Sequence, residues 1–285
     1  MKSIVVNLAN PGLGDPLFYE RWSYFGSVLS FIPQELSELN KVKLLIVDQY
    51  TGVDRKFISK FPNLKIIATP TTGLTHIEDR LPVRTISLKG ERVFLNKITS
   101  VSEFTVMSIL KLAKDISNPP QKIAGKTIGI VGLGRLGHLV RKAAKGLGMR
   151  ILYYEKGMDN FALDHLLATS HFVTLHCDEN PTTKNLISRE RIALMRPTSF
   201  LINTSRPSVL DEPALMKALS SGRIAGAALD TSNLQFGLYN PQPKNLIITP
   251  HIAGRSIEDR VATCNFLVNK VKATGEFPHG FEPIT

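Results

Sequence analysis

The chain has 285 residues, 43% of them hydrophobic, and a net charge of +11, enough length and apolar content for two modest cores. Its two cysteines, Cys177 and Cys264, both sit among apolar neighbours, which excludes a disulfide framework and reads as free thiols in a reducing, cytoplasmic setting. The lysines and arginines are scattered along the whole length, with no arginine-rich tract and no basic run interleaved with aromatics, so the charge reads as a basic surface that steers small anions, with no nucleic-acid partner.

The opening MKSIVVNLAN carries too short an apolar run for a signal peptide, and no later run approaches membrane-spanning length, so no membrane is expected. Residues 4–8 read as a strand, 17–31 as a helix, 44–48 as a strand and 53–60 as a helix. Strands at 64–69 and 83–88 follow. Apolar runs alternating with helical segments imply a parallel sheet with helices on both faces. Residues 102–116 place Phe104, Val106, Met107, Ile109, Leu110 and Leu112 at helical spacing and read as a long connecting helix.

The densest signal is residues 126–155, KTIGIVGLGRLGHLVRKAAKGLGMRILYYE. An apolar run over 128–131 leads into Gly132-Leu133-Gly134-Arg135-Leu136-Gly137; a helical segment follows, then a second apolar run over 150–154 that ends on Glu155. Glu155 lies 23 residues after Gly132. Each piece suits a dinucleotide. Gly132 permits the tight turn, Gly134 lets the backbone approach a pyrophosphate, and Gly137 lets helix and strand pack closely, while the helix start offers free N–H groups to phosphate. Glu155 accepts from ribose hydroxyls and would repel a 2′-phosphate, so the cofactor expected is NAD. Lys156 reads as a solvated lysine at a strand end.

Beyond it, 172–176, 199–203, 225–229 and 246–249 look like buried strands, with helices near 189–195 and 212–220. A last helix over 256–273 crosses back to the first domain. Two doubly wound domains with a cleft between them are expected, and no metal site.

VTLHCDENPTTKNLISRERIALMRPTSFLINTSRP, SGRIAGAALD and ITPHIAGRS resemble the D-isomer-specific 2-hydroxyacid dehydrogenases of the phosphoglycerate and formate dehydrogenase superfamily. FPNLKIIATPTTGLTHIE and SVSEFTVMSILKLAK resemble the same family's substrate loop and linker helix, so the resemblance covers nearly the whole chain in order. It implies an α/β protein in which a Rossmann NAD-binding domain, residues 99–266, is inserted in a flavodoxin-like substrate domain, residues 1–98 and 267–285. The implied activity is hydride transfer between NAD(H) and a D-2-hydroxy or 2-oxo acid, a small anionic substrate. Arg206 corresponds to the arginine that binds the substrate carboxylate, for which a planar guanidinium fork is suited. His251 corresponds to the acid/base, and Asp230 to the acid that meets the nicotinamide carboxamide. Thr72, Gly73 and Leu74 correspond to the loop whose amides hold the carboxylate. Arg135 and Leu136 correspond to positions over the pyrophosphate; Cys177, Thr204, Ser205 and Gly254 line the cofactor groove. His176 reads as a structural histidine, and the other histidines as ordinary surface or core residues.

The chain departs from the family at several places. The glutamate that pairs with the histidine corresponds to Gln235, and no Asp or Glu lies between Asp230 and His251, so the histidine is expected to lack a charge partner. Formate dehydrogenases of the superfamily also use glutamine there, which keeps formate oxidation as an alternative. A non-catalytic NAD-binding regulator, like the superfamily's corepressor branch, is the other. Pro207 replaces a glycine beside Arg206 and pushes that residue toward extended backbone. The segment after the linker helix is too short for the family's dimer-forming arm, which leaves a homodimer open. Little room is expected for a helix after the 150–154 strand.

Overall fold

The computed structural model describes residues 4–8, 21–25, 27–30, 32–233 and 243–277, and the chain divides into two units: Met1–Lys97 with Ile257–Thr285, and Ile98–Ser256. The return to the first unit falls ahead of the last helix rather than inside it at 266/267, because that helix buries Cys264, Leu267, Val268 and Val271 in the first unit's core.

In the first unit, strands β1 (Ile4–Asn7), β2 (Ser27–Leu29), β3 (Val42–Ile46), β4 (Ile66–Ala68) and β5 (Arg84–Ile86) form one parallel sheet in the order β2-β1-β3-β4-β5. Successive strand residues point to opposite faces. Val5, Leu44, Ile46, Ile66 and Ala68 accordingly pack with Trp22 and Phe25 on one side, while Val6, Leu45 and Ile67 pack with Ile58, Phe61 and Ile77 on the other. Short helices α1 (Leu36–Leu39) and α2 (Arg55–Ile58) connect strands and α3 (Arg92–Leu95) follows β5, and Asp54 caps α2 by accepting from the Phe57 amide at 2.6 Å. The helix expected over 17–31 is corrected where the structure describes it: residues 27–29 form β2, in parallel register with Ile4–Val6. An edge strand of three residues carries too little pattern to distinguish itself from a helix end.

The second unit opens with α4 (Ser100–Lys111), which continues as a π-helical turn over Leu112–Ile116. Strands β6 (Thr127–Val131), β7 (Arg150–Tyr154), β8 (Phe172–Leu175), β9 (Phe200–Asn203), β10 (Gly226–Leu229) and β11 (Leu246–Ile248) form a parallel sheet ordered β11-β10-β9-β8-β6-β7. Chain order reverses direction at β6, so the crevice beyond the carboxyl ends of β6 and β8 is where such a sheet takes a ligand. Helices α5 (Arg135–Gly146), α6 (Asn160–Thr169), α7 (Arg189–Leu194) and α8 (Glu212–Ser220) are the crossovers, and α9 (Ile257–Lys272) belongs to the first unit.

Helix α6 corrects the expectation that little room remains for a helix after β7. Gly157, at φ +100°, turns the chain, Asp159 caps the helix through the Ala162 amide at 2.8 Å, and Leu163, Leu166 and Leu167 are buried. A second correction concerns apolar length. Arg92–Ile116, which holds α3 and α4, contains an 18-residue window of mean hydropathy 1.2, apolar enough by length and composition alone to cross a membrane, with 33% of that window buried. Interspersed serines and threonines conceal that length in the sequence. In the structure Ile109 and Leu112 enter the second unit's core beside Ile128 and Val140.

Candidate functional site

The glycine turn sits at the carboxyl end of β6. The Gly132 N–H donates to the Tyr154 carbonyl at 2.7 Å, which extends the sheet by one residue before the chain turns at φ +96°. A Cβ on Gly132 would stand 2.7 Å from the Cys177 amide nitrogen, and one on Gly137 would stand 2.1 Å from the Gly132 carbonyl oxygen. Both glycines therefore permit contact between β6, α5 and the end of β8. Gly134 differs: nothing lies within 4 Å of an added Cβ there, and as N-cap of α5 it offers no side chain to the helix amides. Open space in front of first-turn amides fits a pyrophosphate. Arg135 donates through Nη1 to the Ile98 carbonyl at 2.9 Å, and Leu136 follows it in the same turn.

Glu155 stands exposed at the end of β7, its backbone shaped by Met158, whose amide donates to the Glu155 carbonyl at 3.1 Å. At the neighbouring end of β8, burial pushes the Cys177 thiol up to about 11 and His176 down to about 4, so both are neutral near pH 7. His176 Nε2 meets the Thr174 hydroxyl at 2.9 Å, which suits a structural histidine.

Arg206 is positioned by Asn203, the last residue of β9. The Asn203 side chain accepts from the Ser205 amide at 3.0 Å and from its hydroxyl at 2.9 Å, and donates to the Arg206 carbonyl at 3.0 Å. Buried Thr204 meets the Thr105 hydroxyl at 3.3 Å. Arg206 has φ −138° and ψ 143°, the extended conformation that Pro207 demands, and its Nη1 donates to the Ser205 carbonyl at 2.8 Å.

His251 follows β11 with φ +55°, a left-handed conformation unusual for histidine. Asp230, after β10 and 2% exposed, holds that turn. Its Oδ1 accepts from the Thr249 hydroxyl at 2.7 Å and the Ile252 amide at 2.8 Å; its Oδ2 accepts from the Ala253 amide at 2.9 Å. The His251 amide donates to the Asp230 carbonyl at 2.9 Å. Burial lowers the His251 pKa below its ordinary value of 6.5; the Asp230 carboxylate opposes that shift, and Arg206 and Arg255 add to it. Folding brings the Asp230 carboxylate, 21 residues away in sequence, close enough to act on His251 through space, whereas the glutamate position that Gln235 occupies lies outside the described residues. Arg255 was missed, although it stands in the same ITPHIAGRS segment. Gly254 has ordinary room, its added Cβ meeting Val101 at 3.5 Å.

Two groups of sequence-derived residues lie outside the described residues of the second unit. Gln235 lies outside the described residues. Thr72, Gly73 and Leu74 belong to the first unit, where Thr71 accepts from Thr69, or donates to it, at 3.0 Å and donates to the Gly73 carbonyl at 2.8 Å, folding the loop on itself. Burial lowers the nearby His76, and Asp48 opposes it. Among the described residues no His/Cys/Asp/Glu group is arranged to hold a metal.

A family model described as D-isomer specific 2-hydroxyacid dehydrogenase, NAD binding domain, matches residues 102–253. The chain is 31% identical over 285 aligned positions to a glyoxylate reductase of Pyrococcus furiosus, covering 87% of this chain and 84% of that one. It is 39% identical over 260 positions to a glyoxylate reductase of Korarchaeum cryptofilum, covering 79% and 78%. Among solved structures it is similar to a D-lactate dehydrogenase from Aquifex aeolicus complexed with NAD and lactic acid, with TM-score 0.77, 25% identity and 95% of each chain covered.

Proposed function

The chain belongs to the D-isomer specific 2-hydroxyacid dehydrogenase family, and from that premise we propose that it reduces a short 2-oxo acid of glyoxylate's kind with NADH and oxidises the corresponding D-2-hydroxy acid in reverse. The observation that carries the reading is the shared electrostatic neighbourhood of Arg206, His251 and Asp230 in the unit that bears the glycine turn.

The dinucleotide, when bound, supplies hydride to the C2 carbonyl carbon or takes it back. Gly134 and the first-turn amides of α5 would hold its pyrophosphate, and Glu155 would accept from the adenosine ribose hydroxyls. Arg206 pairs with the substrate carboxylate and polarises the carbonyl, a role that its planar fork suits better than an ammonium. His251 donates a proton to the carbonyl oxygen as the carbon is reduced and removes it from the hydroxyl in the reverse direction. Asp230 keeps His251 in its left-handed turn and stabilises the imidazolium. Loop residues Thr72–Leu74 offer backbone amides to the carboxylate.

A panel of 2-oxo acids assayed by NADH consumption tests the proposal. Turnover of glyoxylate, hydroxypyruvate or pyruvate is the expected result. NADH binding without turnover of any member would favour a regulatory protein, and NADH production from formate alone would favour formate oxidation.

A further inference from the structure

Scattered in sequence, five of the chain's lysines and arginines are gathered by the fold along one line. Each of the six strands of the second unit's sheet is preceded by a basic residue: Lys244 before β11, Arg223 before β10, Arg196 before β9, Lys126 before β6 and Arg150 at the first position of β7, with His171 before β8. Lys122 adds a further cation in the segment leading to β6. Sheet order places them side by side as Lys244, Arg223, Arg196, His171, Lys126 and Arg150. Strand spacing of about 4.8 Å makes that row about 24 Å long. Through-space contact is felt at its middle, where Lys126, Arg196 and Arg150 all lower the His171 pKa after burial itself. The Arg223 Nη1 is buried without a hydrogen-bond partner.

Cations at this edge have a simpler use, since crossover helices end there and carry about half a negative charge each. Five helices run toward it (α4 to α8), which offsets about 2.5 charges against six from Lys122, Lys126, Arg150, Arg196, Arg223 and Lys244. More than half the positive charge is left over. No aspartate or glutamate occurs in the six segments, residues 117–126, 147–150, 170–171, 195–199, 221–225 and 243–245. Helix termini alone do not account for the row.

Against the expectation of no nucleic-acid partner drawn from the scattered charges, we propose that this edge binds the phosphate backbone of duplex nucleic acid without regard to base sequence. The composition of the edge selects that partner. It offers lysine and arginine with Ser117, Asn118, Gln121, Thr198, Ser221 and Asn245, the side-chain types that contact phosphate and sugar. It has no phenylalanine, tyrosine or tryptophan on which unpaired bases would stack, which disfavours single strands. Leu147 is the one large exposed aliphatic in those segments among the described residues, too little for the apolar centre of a stable protein interface or for insertion into lipid. The edge lies at the opposite end of the strands from the glycine turn, so nucleic acid and dinucleotide bind together.

The test is fluorescence anisotropy of a labelled mixed-sequence DNA duplex with the full chain, at several salt concentrations. A variant carrying Lys126→Gln, Arg150→Gln, Arg196→Gln and Lys244→Gln is compared with one carrying Lys56→Gln, Lys65→Gln, Lys89→Gln and Lys97→Gln, which removes equal charge from the first unit. Expected is salt-sensitive binding by the parent and a loss of at least tenfold in the edge variant at low salt. The slope of log affinity against log salt should fall by about 3–4, since each lost phosphate contact removes about 0.9. Both variants should retain NADH binding, and the first-unit variant should hold the duplex nearly as the parent does. Absence of duplex binding, an equal loss in both variants, tighter binding of a single strand, or binding of phosphatidylserine vesicles or polyglutamate in place of the duplex would each overturn the proposal.

Discussion

Substituting alanine separately at Gly134 and Gly137 divides the two jobs of the glycine turn. At Gly137 the new Cβ falls 2.1 Å from the Gly132 carbonyl oxygen, so helix and turn must separate by about 1 Å to restore ordinary contact. Alanine gains about 1 kcal/mol over glycine inside a helix, while overpacking costs about 1–3 kcal/mol. Backbone has no flexible end to move aside, so the cost prevails and Gly137→Ala loses up to about 2 kcal/mol of stability. At Gly134 nothing lies within 4 Å and φ is −70°, which alanine adopts freely. There the poorer N-cap costs about 0.5–1 kcal/mol, and the smaller unfolded-state entropy returns about as much. Stability should therefore stay within about 0.5 kcal/mol of the parent. The methyl nevertheless occupies the space in front of the α5 amides. Urea unfolding and NADH titration read both variants. Expected are weaker NADH binding in each, by tenfold or more, with lost stability only in Gly137→Ala. Parental NADH affinity in Gly134→Ala would refute the assignment of that space to a pyrophosphate.

Arg206→Ala should lose most turnover on an accepted oxo acid while NADH affinity changes little, and Arg206→Lys should recover only part of it because the bidentate fork is absent; unchanged turnover in the alanine variant would show that the guanidinium, bonded to the Ser205 carbonyl, stays turned away from substrate. NADH should bind more tightly than NADPH because of Glu155, and calorimetry giving equal affinities would count against that role. Reduction requires protonated His251, whose pKa is lowered, so the reductive kcat/KM should fall as pH rises through a value below 6.5. Gln235→Glu should carry that fall to higher pH, by about one unit if the added carboxylate is worth ~1.4 kcal/mol; coincident profiles would mean that residue 235 does not reach His251.

Local chemistry made much of this protein legible in its sequence. The run 126–155 specified β6, the turn, α5 and β7 because each is written by neighbouring residues: apolar runs for strands, glycines where a Cβ would clash, an acid at the strand's end. Residues 212–220 were readable as a helix for the same reason, with Asp211 capping it through the Ala214 amide at 2.9 Å. Where local signals were brief, sequence reasoning failed. Strand β2 has three residues and takes its identity from pairing with β1, and α6 begins after a turn at Gly157 that shortens its connection. Resemblance pointed to Arg206, His251 and Asp230 one by one, but tertiary structure decided their electrical relation. The His251 pKa depends on burial and on charges from β9, β10 and its own loop, which act through space whatever their separation along the chain. The basic edge follows the same logic. Lys126, Arg150, Arg196 and Lys244 are dozens of residues apart and read singly as solvated lysines and arginines, and only parallel strands in register set their charges in a row.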